Sequence, residues 1–379
     1  MSTPRPPAAR TPGWVIGRIA GAPVIVAPSW LVAVAVLTFL SAGTVRILTG
    51  LEGSAVYVVS LAFVVLLFVS VFLHELAHGL VAKARGQQPQ EFVLTLWGGH
   101  TAFGGEAPTA ATTALVAVVG PLVNLVLAGV FTAALRSGAV DRGTVLFALL
   151  WSGAVTNGFV GVFNLIPGLP LDGGRVLAAA VWGATKDPVK GTVAAGWVGR
   201  VVAVAVFVVA VGYPMTQGGR IDLISLLWAG MIAAFLWSGA GAAIQGARSR
   251  RALDQVTLAS VGRPAVGVAH DSSVAQAGAY AASLGAQEVV LLSPEGRPAA
   301  YVDRNAAAGV PAAVAGTTPL TAVAVPLPAG AVVDGSLQGA QLVQAVAQAT
   351  RQTPVVVAMV GGRVVGLVHA TDVVAAIRA

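Results

Sequence analysis

The chain contains no cysteine. Disulfide bonds and metal sites built on thiolates are therefore excluded, and a bound metal would have to rest on His, Asp, Glu or water. Charge is scarce as well. Asp, Glu, Lys and Arg supply 10% of the residues, against roughly 25% in a soluble globular protein. None of the four occurs between Arg18 and Arg46. With 56% hydrophobic residues and a mean hydropathy of +0.83, most of this chain reads as a membrane protein. The formal net charge of +7 is better understood as a topology signal than as a nucleic-acid patch, so no direct nucleic-acid partner is expected. Residues Met1–Thr11 lack a compact apolar core backed by a small-residue cleavage site, which argues against a cleaved signal peptide.

A helix crossing a bilayer needs about 20 apolar residues. Six stretches qualify, at about Ala27–Gly43, Ala55–Ala82, Ala110–Leu135, Thr144–Ile166, Ala194–Tyr213 and Leu223–Gln245. If the N-terminus is cytoplasmic, basic residues gather on that side, Arg18, Lys83, Arg85, Lys186, Arg248 and Arg251 among them. Only Arg46, Arg136, Arg142 and Arg220 then fall on the other side. That bias places both termini in the cytoplasm of a multi-pass protein of the cell membrane. The 46 glycines, many of them inside the apolar spans, would let the helices approach closely.

Two segments read as short membrane-associated strands, Val15–Val26 and Glu91–Trp97, the second turned by Gly98-Gly99. Open strands cannot lie in lipid, so these must sit at the interface or line a cavity. The Glu91–Trp97 strand is expected to offer its edge to an extended substrate. Beyond about Leu253 the apolar runs shorten to strand length and turn residues return. The order strand, helix, strand, strand, helix appears twice, at about Asp254–Val310 and Thr317–Ala379. The expected organisation is a flexible N-terminus (1–13), a six-helix membrane domain (14–246), a basic linker (247–253) and a soluble α/β domain (254–379).

The chemistry-bearing residues cluster in two motifs. The first is His74-Glu75-Leu76-Ala77-His78. Histidines at i and i+4 share a helix face and can hold one metal ion, and Glu75 beside them is placed as general base on a metal-bound water. At this chain's residue frequencies the pattern would arise by chance in about one such chain in a thousand. These are also the only strongly ionisable side chains between Ala55 and Ala82. A charged side chain at that depth costs roughly 2.5–3.5 kcal/mol on insertion scales, and a divalent metal would offset it. The bland reading, a helix end whose polar groups snorkel toward Lys83 and Arg85, is the weaker one.

The second motif is Asn164-Leu165-Ile166-Pro167-Gly168-Leu169-Pro170-Leu171-Asp172-Gly173-Gly174. Asp172 alone would read as a loop carboxylate paired with Arg175 at i+3. Beside a two-His motif lacking a third ligand, it reads as that ligand, because a catalytic zinc site wants three protein ligands and one open position. Asn164 and Asn124 are candidates to bind substrate or a developing oxyanion, with helix packing as the alternative. His100 reads as a loop or interfacial residue.

On these residues the chain resembles the site-2 protease family of intramembrane zinc metalloproteases, in its subgroup with a C-terminal pair of CBS repeats. His74, Glu75 and His78 match the first family motif, Asn164, Pro167 and Asp172-Gly173 the second, and Gly120-Pro121 with Asn124 the third-helix motif. The resemblance covers about residues 14–245. It implies one zinc ion per chain and an activity that cuts membrane-spanning proteins, such as anti-sigma factors or membrane-held transcription regulators, in regulated intramembrane proteolysis.

The tail resembles a CBS pair ending Gly366-Leu367-Val368-His369-Ala370-Thr371-Asp372. That resemblance implies a regulatory or dimerising module, and an adenine nucleotide near Asp372. In the first repeat Asp303 and Ala306 occupy the corresponding positions, which speaks against a nucleotide there. Rival readings are a CBS-regulated divalent-metal transporter and an inactive membrane scaffold. Against the first, a carrier has no need of a base between two ligands, and paired broken helices in matching halves are missing. Against the second, every expected catalytic residue is in place.

Overall fold

The computed structural model describes residues 11–96, 98–105, 107–216 and 222–378. Trp97, at the end of an expected strand, and Arg220 lie outside them. The chain divides into two compact units, Met1–Gln245 and Gly246–Ala379.

Among the described residues six helices are long and apolar enough to span a membrane, all in the first unit but for the C-terminal end of the last: α1 (Ser29–Thr49), α2 (Ser54–Ala84), α3 (Ala110–Arg136), α4 (Val145–Asn164), α6 (Pro188–Thr216) and α7 (Leu223–Asp254). Their starts are set locally where polar caps are available. Thr109 accepts the backbone N–H of Thr112, and Thr144 that of Phe147, each satisfying a donor that the first turn leaves free. Helices α6 and α7 outrun their apolar stretches. Lys190 at one end and Arg248, Arg250 and Arg251 at the other bound the lipid-compatible length, but they are good helix formers and do not break the backbone.

Between α4 and α6 lies a helix the hydropathy pattern conceals, α5 (Asp172–Thr185). Its 14 residues span only about 21 Å at 1.5 Å each, too short to cross. It begins just after Pro170, with Asp172 in its first turn, where a carboxylate complements the helix dipole. Helix α5 packs on α3 and α6.

Four strands form one sheet in the order β1 (Trp14–Ile19), β2 (Ala22–Val26), β3 (Gln88–Thr95), β4 (Gly98–Gly104). The β1–β2 and β3–β4 pairs are antiparallel hairpins, and β2 runs parallel to β3. This corrects the expectation of a substrate edge at Glu91–Trp97. Strand β3 is interior, with β2 on one side and β4 on the other, so its backbone groups are already paired and the edge near the motifs belongs to β4. Strand β2 is buried throughout. Phe92 of β3, 1% exposed, seats against Gly79 of α2, where a side chain would collide with its ring. That contact clamps the hairpin to the motif helix.

After the end of α7 the second unit continues with a one-turn helix α8 (Leu258–Val261) and repeats one pattern. The first copy is β5 (Gly262–Ala269), α9 (Val274–Ser283), β6 (Glu288–Leu292), β7 (Pro298–Val302), α10 (Arg304–Ala308). After α11 (Ala312–Ala315) and β8 (Ala324–Pro326) comes the second, β9 (Val332–Asp334), α12 (Gly339–Ala349), β10 (Val355–Val360), β11 (Arg363–His369), α13 (Ala370–Arg378). All seven strands join in one sheet, ordered β8-β7-β6-β5-β11-β10-β9, so the repeats meet at the β5–β11 pair. In each copy a helix crosses between parallel strands and a hairpin follows. The core is made of Val, Leu and Ala, with Val356, Ala358, Val368 and Leu342 fully buried.

Candidate metal centre

His74 and His78 lie one turn apart on the same face of α2 and are 6% and 3% exposed. Asp172, 7% exposed, reaches them from the first turn of α5. Asp172 Oδ2 is 3.1 Å from His74 Nε2 and 3.2 Å from His78 Nε2, and the two Nε2 atoms are 3.0 Å apart. Three side chains separated by up to 98 residues thus bring one atom each to a single point.

The hydrogen bonds behind the rings assign their protons. His78 Nδ1 sits 2.6 Å from the carbonyl oxygen of Val116, which can only accept, so Nδ1 carries the hydrogen. That carbonyl lies on α3, one helical turn before Gly120. His74 Nδ1 bonds Asn124 Oδ1. The orientation of this amide follows from its other end: Asn124 Nδ2 donates to Asn157 Oδ1 at 2.8 Å, and Asn157 Nδ2 donates to the Gly153 carbonyl at 2.9 Å and to Ser70 Oγ at 3.2 Å. His74 therefore also carries its hydrogen on Nδ1. In the neutral form of each ring, Nε2 then offers a lone pair toward the other ring and the Asp172 carboxylate. A buried arrangement of that kind calls for a cation.

A zinc ion fits it. Ligands at 2.0–2.2 Å around a tetrahedral ion stand about 3.3 Å from one another, close to the 3.0–3.2 Å triangle observed. The backbone leaves room on the α3 side at Gly120, where a Cβ would lie 2.7 Å from His74 Nε2 and nearer still to His78 Nε2. With no cysteine available, two His and one carboxylate make the donor set of a catalytic rather than a structural site. Replacing Asn124 by Leu should strip the hydrogen-bond partner from His74 and weaken zinc binding about 10–100-fold, as losses of such outer partners do. A competition titration against a zinc-buffering dye would measure it.

The three atoms face a cavity of about 370 Å³ whose lining includes Glu75, His100, Thr101, Asn164, Arg175 and Phe235. Glu75 is within reach of the same point, one of its oxygens lying within 4.8 Å of a ring nitrogen of each histidine. Asn164 lines the cavity, in keeping with a substrate contact, and so does His100, now on β4 rather than in a loop. Asn124 does not. It is 1% exposed and stands behind His74, its amide engaged with His74 and Asn157.

Reading the residues one motif at a time passed over Asn157 and Thr101. Asn157 carried a faint signal: it precedes Asn164 by seven residues, two helical turns, so both amides lie on one face of an otherwise apolar helix. Thr101 carried none. In the second unit, Asp372 Oδ2 is ion-paired to Arg263 at 3.3 Å, and Arg263 and Arg304 both approach the buried Glu288. Asp303 caps α10, accepting the N–H groups of Asn305 and Ala306.

Residues 62–140 and 137–209, most of the stretch from α2 through α6, match the model of Peptidase family M50. That match runs through much of the membrane unit and covers less than half of the whole chain. Its matched residues include all of the triangle and Glu75. The chain is 35% identical over 227 residues to a putative zinc metalloprotease, Rip3, of Mycobacterium tuberculosis, an alignment covering 59% of this chain and 57% of that protein. The chain thus spans little more than half the length of this curated relative. Among solved structures, a site-2 protease from Methanocaldococcus jannaschii aligns over 61% of this chain and 94% of its own, with 24% identity and a TM-score of 0.43. The CBS domain of a bacterial CNNM/CorC family Mg2+ transporter aligns over 42% of this chain and 96% of its own, with 14% identity and a TM-score of 0.26.

Proposed function

We propose that this protein is an intramembrane zinc endopeptidase that hydrolyses peptide bonds in or near the spans of membrane proteins. The observation that carries this reading is the convergence of His74 Nε2, His78 Nε2 and Asp172 Oδ2 beside the carboxylate of Glu75 on one cavity. Zinc held by those three atoms would supply a Lewis acid that polarises a peptide carbonyl and makes a water more acidic.

The chain's own groups do the rest. Glu75 accepts a proton from the attacking water as the new C–O bond forms, and hands a proton to the amine as the C–N bond breaks. Asn164, at the end of α4 on the cavity wall, would donate from its amide to the carbonyl oxygen as negative charge builds there. Asn124 orients His74. A peptide in helical form hides its carbonyls in hydrogen bonds, so the substrate enters locally unwound. Strand β4, the last in its sheet, offers an edge for such a segment, and Gly98, Gly99, His100, Thr101 and Phe103 of β4 line the cavity.

The partner is a membrane-spanning protein within the bilayer, an anti-sigma factor or a membrane-tethered transcription regulator being the class the family resemblance suggests. The bias of Lys and Arg supports cytoplasmic termini. The doubled strand–helix–strand–strand unit is read as a CBS pair that regulates the protease, with self-association and an adenine nucleotide near Asp372 as its expected inputs.

The test uses full-length protein in detergent with a panel of single-span membrane proteins, each carrying helix-weakening Gly and Pro in its span. Wild type should cut at least one of them. Zinc removal with 1,10-phenanthroline should take the rate below about 1% of its starting value, and added zinc should restore it. A rate indifferent to chelation in zinc-depleted protein would sink the reading.

A further inference from the structure

We propose that Thr101 is a positioning residue for Glu75, so that strand β4 sets the geometry of the base. The inference rests on the protease reading above. Thr101 Oγ1 lies 2.8 Å from Glu75 Oε2 and 3.1 Å from the backbone carbonyl oxygen of Glu75. The hydroxyl has one proton to give, and the carboxylate bond is the shorter and charge-assisted one. Among the described residues no other side chain bonds the Glu75 carboxylate. The Thr101 hydroxyl therefore holds one oxygen and leaves the other for water.

A second position on the same strand face reinforces the contact. Gly99 is two residues before Thr101, so both point to the same side of β4. A Cβ on Gly99 would lie 2.6 Å from Glu75 Cγ, and the bare glycine lets the strand lie directly against the glutamate stem. The strand is itself held in register. Thr101 pairs with Phe92 and Gly99 with Leu94 across the hairpin, and Phe92 is the buried ring that clamps β3 onto α2 at Gly79. The route is continuous: α2 fixes Phe92, Phe92 fixes the register of β4, and Thr101 returns to α2 to fix the carboxylate one turn before Gly79. A glutamate side chain has three rotatable bonds, and an error of about 1 Å in a reacting group costs about 100-fold in rate.

The experiment compares Thr101→Val, which keeps the shape and loses the hydroxyl, with Thr101→Ser, which keeps the hydroxyl. Both run in full-length protein on the reporter that wild type cuts, beside Glu75→Gln. Expected for Thr101→Val is a kcat lower by about 10- to 100-fold, with KM within about 3-fold, because the bond acts on the base and not on substrate binding. Zinc content and melting temperature should match wild type in both variants, and Thr101→Ser should return kcat to within about 3-fold of wild type. If the valine variant loses zinc or its fold, Thr101→Ala takes its place against the same serine variant.

Wild-type kcat in the hydroxyl-free variant overturns the inference. So does a serine variant as slow as the valine one, or a loss carried entirely by KM. Wild type cutting no better than Glu75→Gln would instead bring down the protease reading, and this inference with it.

Discussion

Glu75→Gln abolishes cleavage and leaves the zinc in place. This is the expected result because the substitution separates two functions that share one helical turn. The three converging atoms come from His74, His78 and Asp172, none of which is touched. Glutamine has nearly the shape of glutamate, and its amide oxygen can still accept the Thr101 hydroxyl that now bonds Oε2, so the side chain should stay where it is. What disappears is the ability to take up a proton. Loss of a positioned base costs about 100- to 10,000-fold, and the larger figure is expected here, since among the described residues no other carboxylate in the cavity is free to substitute. Asp172 is committed to both histidines. The measurement pairs initial rates on the reporter with zinc content by elemental mass spectrometry. Full zinc with a rate within tenfold of wild type would remove Glu75 from the role of base. Lost zinc would make it a ligand instead.

Parts of this arrangement can be read from the chain with no structure, for physical reasons that differ from residue to residue. His74 and His78 are legible because helix periodicity alone puts i and i+4 on one face. Asp172 is legible only by chemistry: nothing in its neighbourhood distinguishes it from a loop carboxylate, and only the want of a third ligand beside two His singles it out as the side chain found against both rings. The short helix it opens escapes notice because α5 is neither long nor uniformly apolar, and hydropathy sees spans, not amphipathic turns.

Strand order is not a local property at all. Glu91–Thr95 looks like an edge until β2, more than 60 residues earlier in the chain, is found beside it. For the same reason Asn124 reads as a substrate contact when only its own helix is considered. Its partners His74 and Asn157 lie 50 and 33 residues away, and they draw its amide behind the ring. Thr101 sits in an ordinary strand sequence, and its importance arises wholly from which face of β4 meets α2.

Gly120→Ala should leave a folded protein that holds almost no zinc. A Cβ built at Gly120 falls 2.7 Å from His74 Nε2 and closer to His78 Nε2, on the side where both lone pairs point. The added methyl thus competes for the space in which the donors converge, and no flexible neighbour can yield. Both rings are held from behind, His78 by the Val116 carbonyl four residues before Gly120 on the same helix and His74 by Asn124 four residues after it. Helix α3 thus supports the rings at two points and must be bare at the one between. Moving the helix outward to admit the methyl would stretch both supporting bonds at once.

The cost in helix propensity runs the other way, since Ala favours a helix over Gly by about 1 kcal/mol. Overall stability should therefore change little while the site is lost. Expected readouts are a zinc content below about a tenth of wild type, a cleavage rate at the level of Glu75→Gln, and a melting temperature close to that of chelator-treated wild type. Zinc retained at wild-type stoichiometry in Gly120→Ala would show that the donors converge elsewhere than against α3, and that the close approach of this helix serves packing alone.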